Sequence, residues 1–534
     1  MGWPVPSSIG WLFAPQQGEP ERLIPRWLFL RALGAIYFSA FFSLIFQIRG
    51  LIGPNGILPA GAYLGAIAQS LGHVSRLWYA PTLLWWSGSD AMLVTLCWAG
   101  ITASVLLVLN VWPRAMLVVC FVCFLSFVSA AQDFSGYQSD GMLLEAGFIA
   151  LFLAPPGLHP GLGRARPAPR AALFLLLWEW FRIYFESGAA KLLSGDPEWR
   201  HFTAMDEYYQ NGPLPTWIGW YLQHLPHWFH AATAAVTLVM ELVLVLMVFL
   251  PRRWRIGCFF IVTAWQIGVI VSANYTFLNY LVLALGVLLL DDRFAQSLLP
   301  AKWRARLQVS SAQSEPPTLN AQAPVAGVGH SWSAAKFSIS VVILTWIFYA
   351  STLEMIWMFA RAPSPSFPVT ALEPFRIANR YGLFAVMTRG RYEIEFQGSV
   401  DGTNWVTYPF RYKPQALNEP PGIYAPYQPR FDWNLWFASL ASWRDDSIVP
   451  NTEVCLLSHD KDVLQLFGSN PFATSPPKQI RVLLWQYWFT TMKEKRETGN
   501  WWRRQLVGLY APTVERTSEG DFKVIEWPNV PPRE

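Results

Sequence analysis

The chain has 534 residues, of which 53% are hydrophobic, 16% aromatic and only 14% charged. An ordinary soluble domain carries about 25% charged residues, so this composition excludes a typical water-soluble globule and a charged disordered tail protein. The net charge of +5 gives no case for nucleic-acid binding; with 29 tryptophans it fits basic loops and aromatic belts flanking membrane helices.

Residues 1–21 are polar and lack a basic segment leading into an apolar core, so no cleavable signal is predicted. A spanning helix needs about 20 mostly apolar residues. About nine windows approach this, near 27–47, 89–110, 113–131, 141–154, 171–191, 230–250, 255–272, 274–290 and 335–358. The fourth is short, and little more than Ala273 separates the seventh from the eighth. Residues 60–72 are too few and too small to span and are predicted to form an interfacial or re-entrant helix.

Basic residues sort the connections. Arg22 and Arg26 precede the first window, and Arg114 follows the second. Arg164, Arg166 and Arg170 follow the fourth, and Arg252, Arg253 and Arg255 the sixth. Arg293, Lys302, Arg304 and Arg306 follow the eighth. With nine spans all of these fall on one side, which the positive-inside rule makes cytosolic. Segments 48–88, 132–140 and 192–229, and everything after 358, then lie on the other side. The expected divisions are a multi-helix membrane domain over 1–306, a Ser/Pro/Ala-rich disordered cytosolic linker over 307–333, a last span over 334–358 and an extracytoplasmic domain over 359–534.

In that last domain apolar residues alternate. Arg391–Gln397 reads as a strand, Gly398–Thr403 as a turn and Asn404–Tyr412 as a second strand, with a further strand over Gln479–Trp485. Trp433–Trp443 reads as a short aromatic helix. The tail after 515 shows no strong period. The expected fold is an α-helical polytopic membrane protein with a β-rich, sandwich-like C-terminal domain.

The most informative stretch is Trp178–Pro215. Its apolar helix carries Glu179, Arg182, Glu186 and Lys191, although each charge at a helix centre costs roughly 2.5–3.5 kcal/mol to insert. Such groups pair or face a cavity. A polar segment with Asp196, Trp199, Arg200, His201 and Asp206 follows. Asp140 has the position of a helix cap. Glu145 sits on an otherwise apolar helix and calls for a cation, Arg182 or Lys191. Lys191 has three readings: an anchor reaching the interface, half of a buried ion pair, or a general base made neutral by burial beside Arg182. His227 and His230 could hold a metal only with a third ligand such as Asp206, and no metal site is expected. Cys120 and Cys123 lie inside an apolar run and read as packing residues. Arg430, Asp432, Trp433 and Trp436 form either an ion pair or cap within a packed aromatic cluster or an exposed client-binding face. Trp501 and Trp502 invite the same two readings. Hydrolase, nucleotide-binding and dehydrogenase motifs are absent, and no cofactor is expected.

The stretches RWLFLRALGAIYFSAFFSL, YQSDGMLLEAGFIALFLAP, GDPEWRHFTAMDEYYQNGPLP, YEIEFQGSVDGTNW and APYQPRFDWNLWFASL, in this order, resemble the lipase maturation factor family along nearly the whole chain. The resemblance implies a multi-pass membrane protein that is more a chaperone than an enzyme. Its clients would be secreted lipases or other exported proteins, met by an extracytoplasmic C-terminal domain. The implied site is the endoplasmic reticulum membrane in eukaryotes and the inner membrane in bacteria, and membrane lipids are the other expected partners. RIYFESGAAKLLSGDPEW is in addition similar to the segment of vitamin K-dependent gamma-carboxylases that carries their catalytic lysine, which places Lys191 at that position. This second resemblance implies the alternative: a membrane-embedded enzyme acting on a quinone-like or lipid substrate.

Overall fold

The computed structural model describes residues 22–164, 169–298, 300, 329–360 and 365–530. Residues 1–21, Arg166, Lys302, Arg304, Arg306 and 307–328 of the expected linker lie outside the described residues.

Fourteen helices carry the argument: α1 Leu23–Ile45, α2 Ala60–Ser70, α3 Asp90–Val108, α4 Pro113–Val128, α5 Gln138–Leu153, α6 Arg170–Leu193, α7 Ala204–Asn211, α8 Trp217–Gln223, α9 His227–Leu242, α10 Arg252–Ser272, α11 Leu278–Gly286, α12 Gly329–Trp357, α13 Arg430–Leu440 and α14 Ile448–Leu457. Five segments are long and apolar enough to cross a membrane: α1, α3, His227–Phe249, α10 and Ala335–Trp357. α4 and Leu278–Leu289 are apolar but shorter, and the charges of α6 set it apart. Among the described residues, length and composition therefore give five candidate spans, fewer than the nine windows. α12 begins at Gly329, inside the stretch expected to be linker. The expected helix over 60–72 is α2, and a further helix, His73–Tyr79, follows it with Val74, Leu77 and Trp78 exposed.

The connections gather at two ends. At one end Asp292 accepts from the Leu23 and Ile24 amides (2.9 and 2.7 Å), an acidic group at a helix N-terminus where the dipole favours it. There too Arg26 donates to Leu162 and Gly163, Arg114 to Ala154, and Arg252 to Asp291. At the other end Gln47, Phe134, Thr216 and Asn274 all meet the C-terminal domain or the segments beneath it.

The C-terminal strands form one five-stranded antiparallel sheet, β1 Arg391–Ser399, β2 Trp405–Thr407, β3 Gln479–Phe489, β4 Trp502–Arg516 and β5 Phe522–Glu526, in the order β2-β1-β3-β4-β5. This corrects the sandwich: the described strands make a single layer, and α13 and α14 cover it where a second sheet was expected. The hairpin turn follows its chemistry. Asp401 accepts from the Thr403 and Asn404 amides (2.9 and 2.8 Å), and Gly402 takes φ +78°. These bonds hold the Asp401 carboxyl well below its usual range. β2 spans only three of the nine residues expected of it. β4 and β5 occupy much of the tail that showed no period.

Candidate functional site

Between α12 and β1 the described residues form no long regular element. The stretch from Arg376 to Arg391, here the strap, runs over the polar residues singled out in the sequence. Irregular backbone buried on apolar helices must find partners for its N–H and C=O groups. It finds them on the ionisable side chains. Glu145 accepts from the Asn379 main-chain amide (3.0 Å) and side-chain amide (3.1 Å), while Arg182 Nη1 donates to the Asn379 carbonyl (2.6 Å). Arg182 Nη2 donates to Glu145, and both are buried. Glu186 accepts from the Tyr381 amide (2.6 Å) and stands 3.9 Å from Arg182. Gln138 accepts from the Gly382 amide (3.0 Å).

The polar segment after α6 continues this clamp. Asp196 accepts from the Glu198 amide (3.1 Å), capping Pro197–Arg200, and from the Met387 amide (2.6 Å). Trp199 is buried and its indole donates to the Phe384 carbonyl (2.8 Å). Asn211 donates to the Thr388 carbonyl (2.8 Å), and Arg391 reaches the Gln210 and Pro213 carbonyls (3.0 and 3.2 Å). Arg200 and His201 are exposed and take no part. Asp206 accepts from His227 and His230 (2.9 and 2.7 Å), and His230 Nε2 meets the Leu222 carbonyl (3.1 Å). Those rings are thus committed to hydrogen bonds, and no group of three possible ligands occurs among the described residues.

Of the two cations offered to Glu145, the structure selects Arg182. Lys191 pairs instead with Glu241 on α9, at 2.8 and 2.9 Å to its two carboxylate oxygens, donates to Ser187 (2.7 Å) and lies 5.1 Å from the Trp199 ring centre. At 3% exposure it is not an interfacial anchor. Its donors are all engaged, which suits an ammonium and not a base that needs a free lone pair. Glu241 escaped notice in the sequence, although a lone carboxylate on an apolar helix was the very signal that exposed Glu145. Glu179 is buried with neither carboxylate oxygen hydrogen-bonded to another described group.

Asp140 does not cap α5, whose first residue is Gln138. It lies in the first turn and forms a two-pronged pair with Arg430 of α13, both distances 2.8 Å and both side chains buried. Arg430 also donates to the Phe134 carbonyl (2.7 Å). Asp432 accepts from the Tyr412 and Lys413 amides (3.2 Å each), and burial raises its carboxyl to about 6. Trp433 and Trp436 are buried, Trp433 edge-on to Tyr137 and Tyr275. Trp502 is buried, and the half-buried Trp501 packs on Trp220 of α8. Of the expected client-binding aromatics Trp433, Trp436 and Trp502 are therefore internal and Trp501 is half-covered. They fasten the C-terminal domain to the helices through edge-on ring contacts beside the buried Asp140–Arg430 pair.

The lipase maturation factor transmembrane domain model matches residues 24–297, and the lipase maturation factor C-terminal domain model matches residues 377–512. Together they take in both ends of the clamp.

The chain belongs to the lipase maturation factor family.

It is 32% identical to lipase maturation factor 2 of Gallus gallus over 93% of this chain and 82% of that one. It is 31% identical to lipase maturation factor 1 of Bos taurus (96% and 94%), and 30% identical to lipase maturation factor 2 of Homo sapiens (92% and 82%). No solved structure matches the chain. Nothing in these matches supports the carboxylase alternative. In this family member Glu145, Arg182 and Glu186 hold a stretch of its own C-terminal chain.

Proposed function

We propose that the chain is an integral membrane maturation factor that assists the folding or assembly of secreted lipases, or of other exported proteins where such lipases are absent. One observation carries this: membership spans nearly the whole chain, and the C-terminal domain is clamped at one end of the helices. In this proposal the helices anchor and orient, and the C-terminal domain meets clients. The proposal includes nine crossings, the four beyond the long candidates being α4, α5, α6 and Leu278–Leu289. Two-ended sorting of the connections supports that number, since nine crossings put every basic connection at the end away from the C-terminal domain. With that end cytosolic, the C-terminal domain is extracytoplasmic, facing the reticulum lumen in a eukaryote and the far side of the inner membrane in a bacterium. The domain divisions over 1–306, 307–333, 334–358 and 359–534 belong to this proposal.

Since the expected client-binding aromatics are internal or half-covered, the client surface is assigned elsewhere. β5 is a sheet edge with every residue exposed; Phe522, Val524 and Ile525 lie on it, and Trp527 is 62% exposed just beyond. An open edge pairs with extended chain, which suits an incompletely folded client. The test is to co-express the protein with a secreted lipase in cells without a maturation factor of their own, and to measure secreted activity per lipase molecule. Phe522→Asp with Ile525→Asp should lower that yield at least fivefold while the maturation factor still accumulates. Unchanged yield would refute the surface; no effect of the unaltered protein on any exported client would refute the function.

A further inference from the structure

A cavity of about 600 Å³ lies among α6, α9, α10 and α11, in the half of the membrane part nearest the C-terminal domain. Its roof is the strap, through Tyr381, Leu383 and Phe384. Its walls are mainly apolar, with Ile183, Val236, Val269 and Val282 among them. α9 and α10 are joined at their far end by Leu244–Phe249 and do not pack closely along each other. Val236 and Val271 are 45% and 39% exposed, and a Cβ added at Gly268 would meet nothing within 4 Å. The cavity therefore opens sideways between these helices, toward lipid.

Its polar lining consists of one ion pair, two side-chain amides and a set of hydroxyls, of which those of Thr233, Thr237 and Ser272 donate to carbonyls of their own helices. Lys191 and Glu241 neutralise each other, so the site offers no net charge. Gln266 is 5% exposed; its carbonyl oxygen accepts from Tyr184 (2.7 Å), and among the described residues its amide nitrogen has no partner. The side-chain amide of Asn279, 8% exposed, has none either. Both amides line the cavity with no protein acceptor among the described residues, so they are the donors that an acceptor group on whatever occupies it would meet.

We propose that this cavity binds an uncharged, ester-bearing membrane lipid of the diacylglycerol type, with its ester carbonyls on Gln266 and Asn279 and its chains along the apolar walls. The inference rests on the reading of these helices as membrane-spanning. A phospholipid fits less well, because its phosphate would be buried without a net cation to meet it. Bound lipid would touch the strap and so reinforce its seat on the helices.

The test uses the purified full chain in phosphatidylcholine nanodiscs containing a diazirine-bearing diacylglycerol, with crosslinked peptides mapped after irradiation. Labelling should concentrate on α9 and α10. Unlabelled diacylglycerol should compete at least tenfold better than phosphatidylglycerol. Gly268→Phe should lower labelling at least tenfold, and Val239→Phe, on the outer face of α9, should leave it unchanged. Should Gly268→Phe fail to fold, Val236→Phe on the facing wall replaces it. Labelling spread evenly around the helices, equal competition by phosphatidylglycerol, or full labelling of the plugged variant would overturn the proposal. No client is present, so the outcome is independent of whether the maturation reading holds.

Discussion

Two polar clusters lie two turns apart on α6 and do opposite things. Around Arg182, three charges answer to the strap: Glu145 and Glu186 take strap amides and Arg182 takes a strap carbonyl. Around Lys191, the pair with Glu241 closes on itself and borders an apolar cavity. The difference teaches that a buried charge in a membrane helix need not mark chemistry. Where it faces irregular chain it supplies the hydrogen bonds that lipid cannot; where it faces a cavity it sets the polarity of what enters.

Arg182→Met should sharpen this contrast most. It leaves Glu145 and Glu186 buried without their cation and frees the Asn379 carbonyl, so a loss of about 3–5 kcal/mol is expected, with new protease cleavage within 376–391. Thermal unfolding in detergent and limited proteolysis check both. Lys191→Met should cost less, about 2–3 kcal/mol, because Glu241 keeps the Ser187 hydroxyl as a donor (3.3 Å) and no backbone group loses a partner. Adding Glu241→Gln should recover at least half of that loss. Normal stability of Lys191→Met together with lost maturation activity would instead restore a chemical role for the amine.

The junction offers a pH test. Burial raises Asp432 to about 6, above its unfolded value near 3.9. Between these values the folded protein binds the extra proton, so the contribution of Asp432 is most favourable below pH ~4 and is lost as pH rises to ~6. Asp432→Asn should remove up to about 2–3 kcal/mol of that pH dependence from the C-terminal domain. Identical stability–pH slopes for the two proteins over pH 4–6 would contradict it.

A gentler perturbation acts through space. A Cβ on Gly141 would lie 2.8 Å from the Asn379 amide oxygen. Gly141→Val should therefore push the strap outward at a cost of about 1–3 kcal/mol and mimic Arg182→Met in weakened form, leaving the Lys191 pair intact. Proteolysis of the strap without loss of Lys191→Met sensitivity is the expected pattern.

Much of this was legible in order of appearance. The cost of inserting charge marked Glu145, Arg182, Glu186 and Lys191 as paired, and arginine placement sorted the loops into two groups that the contacts keep apart. What was not legible is the strap, since irregular backbone has no period and its partners lie about 200 residues away. Glu241 is hidden in the sequence by the long apolar run around it, which satisfies a hydropathy window despite one charge. The sandwich was a misjudgement of layers: β2 is short, β4 and β5 lie in a stretch whose alternation is broken by register shifts, and α13 fills the place of a second sheet. Arg430 and Trp433 looked equally like a surface and a core, and only the position of Asp140 decides between them.

Glu145, Arg182, Glu186 and Asp196 clamp the strap. Hydrogen–deuterium exchange of the full chain in nanodiscs tests it most directly, at the amides of Asn379, Tyr381, Gly382 and Met387. The clamp predicts that peptides over 376–390, though outside any strand or long helix, exchange at least a hundredfold more slowly than those over 415–422, and that Arg182→Met speeds them selectively. Exchange of 376–390 as fast as that comparison loop in the unaltered protein would contradict it.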